Sequence, residues 1–156
     1  MKRIKIYVPL LLVIPITLLF SFQSCKKGSG SLSSQYGQHK SHNHGKACLR
    51  CHGTGGDNSY FWAVAGSIYK PDLTSYNPNC TVYLYNGKQP SGVLVKTIEV
   101  DGNGNLFTSD KLNNTDSLYI GLQNTSGDVK YMPGPTLDFN CNNCHDGKTN
   151  PKIWIK

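Results

Sequence analysis

The middle of the chain, from about residue 60 to 138, is built of short runs in which apolar and polar residues alternate. At 81–85, Val82 and Leu84 alternate with Tyr83 and Tyr85, which is the period of two expected of a half-buried strand. The run at 93–100 has the same period, with Val93 and Val95 on one face and Leu94 and Lys96 on the other. We predict strands at 60–69, 81–85, 93–100, 105–108, 117–122 and 128–131.

Residues that tolerate a positive φ separate these runs. Clusters of Asn, Asp, Gly and Ser lie at 86–87, 101–104, 113–114 and 126–128. No segment has a convincing helical period. The pattern therefore predicts an all-β fold, an antiparallel β-sandwich.

The N-terminus has the layout of a secretory signal. Three basic residues precede an apolar run from about residue 6 to 22, and small or polar residues then lead to Cys25. A membrane-spanning helix is the competing interpretation, since the run approaches the roughly 17 to 20 residues that such a helix needs. Two prolines inside the run and the Ser24-Cys25 junction favour cleavage.

The segment LLFSFQSCKK at 18–27 resembles the lipoprotein signals of the Bacteroidota, in which a loose lipobox often ends in Ser-Cys followed by lysines. The resemblance implies that Cys25 becomes the acylated first residue of the mature protein. It also implies a lipid-anchored protein of the cell envelope, at the outer membrane on its periplasmic or surface face. The alternative is a free or disulfide-bonded Cys25 beside an uncleaved anchor.

Residues 26–46 are rich in Gly, Ser, Gln, Asn and His and almost lack apolar side chains, so we predict a flexible tether. The expected organisation is a signal peptide at 1–24, a tether at 25–46 and one domain at 47–156, because about 130 residues suffice for a single core. The formal charge of +7 includes the three basic residues of the signal. Nucleic-acid binding therefore gains no support.

Two Cys-x-x-Cys-His pentapeptides, at 48–52 and 141–145, carry the candidate chemistry. Each places two thiols about one turn apart, suited to thioether bonds with the two vinyl groups of a porphyrin, beside an imidazole that can bind the iron. The arrangement resembles a di-haem cytochrome c. The resemblance implies two covalent haem c groups, attached through Cys48, Cys51, Cys141 and Cys144, with His52 and His145 as proximal iron ligands.

Four further side chains are candidates for the distal face of an iron: His39, His42, His44 and Met132. The backbone needs at least about five or six extended residues to pass around a porphyrin. His44 is therefore too near Cys48, and we expect His39 or His42 to cap the first haem and to order the chain there. His44 should face outward or, like Met132, serve the second haem. Alternatively, the histidines belong to a polar tether or a weak zinc or copper site, and Met132 fills a core gap.

The middle region is also similar to the carboxypeptidase-regulatory-like β-sandwich of exported proteins, through residues 64–69, 81–85 and 101–107. The resemblance implies a β-sandwich scaffold. One Cys-x-x-Cys-His motif precedes it and the other follows it, so we expect the two motifs to form haem-binding loops that flank the sandwich. Two haems would come close together if both ends of the scaffold lie on one side. Cys80, which stands apart from both motifs, is expected to be a buried, unreactive thiol.

These features favour an electron carrier over an enzyme, because the chain has no Ser-His-Asp set and no acidic pair. Its expected partners are redox proteins of the cell envelope. Three alternatives remain open. The four motif cysteines could hold one structural zinc in a surface lipoprotein whose sandwich binds a partner; they could form disulfides or a redox dithiol; or an iron without a distal ligand could serve a small peroxidase or sensor.

Overall fold

The fold is known from a computed structural model, which describes residues 32–54, 56, 60–112 and 117–156. These residues are mostly β, with two antiparallel sheets and two one-turn helices, so the all-β prediction is confirmed. Each predicted strand has a counterpart. The elements are α1 (Leu49–His52), β1 (Val64–Ser67), β2 (Thr81–Tyr85), β3 (Leu94–Glu99), β4 (Asn105–Thr108), β5 (Tyr119–Gln123), β6 (Val129–Tyr131) and α2 (Cys141–Cys144).

One sheet pairs β1 with β4, and the other has the strand order β3-β2-β5-β6. In β2, Val82 and Leu84 are buried and their neighbours are half-buried, as the alternation predicts. The start of β3 differs from the prediction. Val93 is 66% exposed, and Leu94 and Val95 are exposed beside it, because this part of an edge strand has the core on neither face.

A single hydrophobic core draws residues from both sheets. Each buried aliphatic side chain of this size contributes about 1.5–3 kcal/mol relative to exposure. Cys80 lies in the core, where burial raises its pKa to about 11, so the thiol stays neutral and packs as a small apolar group. The other core members include Val64, Ile68, Val82, Leu84, Ile98, Leu106, Leu118, Leu122 and Ile155.

Residues 32–46, the described part of the expected tether, lie against the sheets. The backbone N–H of Ser34 donates to the carbonyl of Phe107 at 2.9 Å, and Ser33 forms a bridge with Thr108. The polar segment thus pairs with the edge of β4 that β1 leaves free. Backbone and hydroxyl groups of this segment therefore extend the two-stranded sheet.

The N-terminal predictions lie outside the described residues. They concern the signal peptide at 1–24, the acylation of Cys25 and the first part of the tether. Within residues 32–54, 56, 60–112 and 117–156, no helix is long and apolar enough to cross a membrane.

Candidate functional site

The first motif forms the one-turn helix α1. The backbone N–H groups of Cys51 and His52 both donate to the carbonyl of Cys48, at 3.2 and 3.0 Å. This turn brings the two cysteines, three residues apart, to the same side of the helix. The His52 side chain is 6% exposed, and its Nδ1 lies 3.1 Å from the carbonyl oxygen of Tyr60. Since a carbonyl only accepts, Nδ1 carries the proton and Nε2 keeps a lone pair for a metal.

Aromatic rings fix the plane of the His52 imidazole. The ring stacks on Trp62 with centroids 3.6 Å apart and an interplanar angle of 9°, and Trp62 stacks in turn on Phe107. The backbone N–H of Trp62 also donates to the His52 carbonyl at 2.7 Å. Packing and hydrogen bonding together hold this histidine in one orientation.

The second motif repeats the geometry of the first. It forms α2, in which the backbone N–H of His145 donates to the Cys141 carbonyl at 2.9 Å. The His145 Nδ1 lies 2.8 Å from the carbonyl oxygen of Pro151, so this imidazole also keeps Nε2 free. In both motifs the orienting carbonyl belongs to a loop residue shortly after the histidine, eight residues on at Tyr60 and six at Pro151.

The second motif opens on a largely apolar cavity of about 380 Å³, a size typical of small-molecule and cofactor sites. Cys144 and His145 line it together with Met132. The backbone N–H of Met132 donates to the Ile120 carbonyl at 2.9 Å, which places this residue beside the four-stranded sheet. The fold thus brings the methionine and the second motif to one cavity.

The three histidines of the 32–46 segment occupy different environments. The ring of His42 lies 6.0 Å from that of His52, close to the separation of about 6 Å expected when two imidazoles bind one metal through bonds of about 2 Å. His39 instead donates from Nδ1 to Asn103 Oδ1 at 2.9 Å. His44 does not face outward as expected. It stacks on Tyr76, and its buried Nε2 has no hydrogen-bond partner among the described residues.

The cysteines do not converge on a shared metal site. Among the residues that the structure describes, no three His, Cys, Asp or Glu side chains are close enough to hold an ion together, and Cys48, Cys51, Cys141 and Cys144 are all free thiols. Burial raises the pKa of Cys141 to about 12, with a smaller contribution from nearby Cys48. The pKa of Cys48 is also raised by burial. A redox dithiol needs a lowered thiol pKa, so these shifts oppose that alternative.

In comparisons with known proteins, no family model matches the chain, and no curated protein or solved structure matches it either.

Close packing of α2 on β1 gives a prediction about Gly66. A Cβ added at this position would lie 2.7 Å from Cys141 Cβ and 3.1 Å from its Sγ. Because overpacking costs about 1–3 kcal/mol, Gly66→Ala should lower the free energy of unfolding by that amount in a denaturant titration. Gly134→Ala is the control, since nothing lies within 4 Å of an added Cβ there. Equal midpoints for the two variants would show that α2 does not pack on β1 this closely.

Proposed function

We propose that the protein is a lipid-anchored c-type cytochrome that transfers electrons through two covalently bound haems outside the cytoplasm. One observation carries the proposal. In both Cys-x-x-Cys-His motifs, a one-turn helix presents the cysteines, and a backbone carbonyl accepts a hydrogen bond from Nδ1–H of the histidine. Each imidazole is thereby prepared to bind iron through Nε2.

The donor set fits haem c at both places. Cys48 and Cys51 would hold the first group, and Cys141 and Cys144 the second, with His52 and His145 as proximal ligands. When bound, haem iron supplies a one-electron couple whose potential depends on its axial ligands. The apolar lining around the second motif would exclude water from that group.

Two side chains are proposed as distal ligands. His42 suits the first haem, because its ring is near that of His52, whereas the His39 ring packs its Nε2 edge against Gly102. Met132 suits the second haem, because it lines the cavity that contains His145. A methionine ligand raises the potential of a haem relative to two histidines, so the second haem would be the better electron acceptor.

The proposed scaffold is a β-sandwich flanked by two haem-binding loops. Its support is the shared core, in which Val64 and Leu106 of the two-stranded sheet join Val82 and Leu122 of the four-stranded sheet. Strand β1 contacts α2, and Gly45, three residues before the first motif, donates its backbone N–H to Ser67 Oγ at the end of β1, so the segments that carry the two motifs both reach this strand. Electrons would pass between the two haems there and on to redox partner proteins of the cell envelope.

The test is the intact mass of the mature protein, produced in cells with a haem-ligation system. The expected mass is that of the chain from Cys25 with its acyl chains and two haems. A protein without covalent haem that retains stoichiometric zinc would instead support the zinc-binding surface lipoprotein. One haem per chain would contradict the di-haem proposal.

The lipid anchor gives a separate prediction. Cys25→Ser should leave the protein either released from the membrane or retained with its signal, because serine lacks the thiol that accepts the diacylglycerol. The haem spectrum of the folded protein should stay the same. Fractionation with mass analysis measures both, and Ser24→Ala, a small-residue exchange beside the cysteine, is the control that should keep the anchor. A Cys25→Ser protein that is cleaved and still membrane-bound would rule the anchor out.

A further inference from the structure

Asn142, the first of the two residues between the cysteines of the second motif, lies in a polar and closed setting. Its side chain is only 3% exposed. Its Oδ1 accepts the backbone N–H of Ser67 at 3.1 Å, and its Nδ2 donates to Ser67 Oγ at 3.0 Å and to the carbonyl of Lys46 at 2.8 Å. Both donors and the acceptor of the amide are therefore used, as a buried amide requires.

These hydrogen bonds connect the second motif to the first. Lys46 lies two residues before Cys48, so the bond to its carbonyl holds the chain at the entry to α1. The next residue towards the N-terminus, Gly45, donates its N–H to Ser67 Oγ at 2.9 Å. The Asn142 side chain of the second motif and the Gly45 backbone of the segment before the first motif thus meet at Ser67, the last residue of β1.

The connection is rigid because the rest of it is anchored. Ser67 Oγ donates to Asn105 Oδ1 at 2.6 Å, and Asn105 Nδ2 donates to Ser41 Oγ at 2.9 Å. The Asn105 backbone N–H is in turn held by Asp101 Oδ1 at 3.0 Å. A fully satisfied buried network of this kind specifies one arrangement, since moving any member leaves others unpaired.

We propose that Asn142 is a positioning residue that fixes the two haem-attachment segments relative to each other, and so sets the separation and angle of the two haems. The inference rests on the proposed di-haem function. Aspartate at this position would lose both donors and place a carboxylate against the Lys46 carbonyl. Alanine would leave the buried backbone N–H of Ser67 without its acceptor and would remove the bond to the Lys46 carbonyl.

The test uses circular dichroism in the Soret region, because two porphyrins at close, fixed separation give a two-signed signal whose amplitude depends steeply on distance and angle. The intact protein should show this signal. Asn142→Ala should keep two haems by mass, but the amplitude of the two-signed signal should fall several-fold. The matched control is Asn143→Ala: the same residue type in the same motif, but exposed and bonded at its amide to Asp138 Oδ2 at 3.0 Å. It should leave the signal unchanged.

Each outcome separates the inference from the function beneath it. An unchanged signal in Asn142→Ala overturns the inference, as does an intact protein with two haems and no two-signed signal. Absence of haem from the intact protein overturns the proposed function itself. If Asn142→Ala does not fold, Ser67→Ala probes the same connection: a weakened signal supports the role, and an undiminished signal overturns it.

Discussion

Replacing Cys48 and Cys51 together by Ala is expected to remove one covalent haem and leave the other, because the two motifs are proposed to attach their haems independently. The reciprocal change at Cys141 and Cys144 should also leave one haem. Each single change at Cys51 or Cys144 should weaken attachment of one haem, since one thioether remains. Mass measurement after denaturation and haem extraction counts the groups that stay bound.

Cys80→Ala is the control for these changes. This thiol lies in the core, away from both motifs, so the variant should keep two haems even though it loses some core packing. A different pattern would favour the zinc alternative: if any single motif cysteine caused equal and complete loss of the bound group, the four thiols would serve one shared site.

His42→Ala is expected to convert one of the two haems from low-spin to high-spin iron. The proposed reason is that His42 supplies the second imidazole of the first haem, opposite His52. The potential of that haem should rise, because losing an imidazole destabilises the oxidised iron, and axial ligation sets haem potentials over a range of about 0.8 V. Optical and electron paramagnetic resonance spectra with a redox titration measure both effects.

His39→Ala is the matched control, because the His39 ring packs its Nε2 edge against Gly102. It should keep the spectrum of the parent protein. A high-spin haem in His39→Ala but not in His42→Ala would exchange the roles of the two residues. If replacing His39, His42 and His44 together left spectra and potentials unchanged, the segment would have no role in iron binding.

The strands were predictable because their signal is local. The alternation in β2 and the predicted turn at 86–87 identify this strand and its end, and β4 begins directly after a glycine-rich turn. The exposure of Val93 and Val95 was not predictable in this way. Alternation shows that a segment is a strand, whereas burial of its apolar face depends on which strands lie beside it.

The site was predictable only as far as residue types reveal it. The Cys-x-x-Cys-His spacing identifies the motif residues, but the groups that orient the imidazoles are backbone carbonyls at Tyr60 and Pro151, and every residue has a carbonyl. Asn142 carried no signal for a similar reason. Its importance depends on Lys46 and Ser67, which are distant in sequence and meet it only in the folded chain.

In the proposed lipid-anchored protein, the pairing of residues 33–34 with β4 would also limit the distance between the domain and the membrane. In a chain anchored at Cys25, seven residue steps separate the lipid from Leu32, whose carbonyl is already bonded to Ser109 at 2.7 Å. Fully extended, seven residues span at most about 25 Å. The whole expected tether of 25–46 would allow roughly three times that distance. A connection of only seven residue steps between lipid and domain would favour electron exchange with proteins that are embedded in the same membrane or lie on its surface.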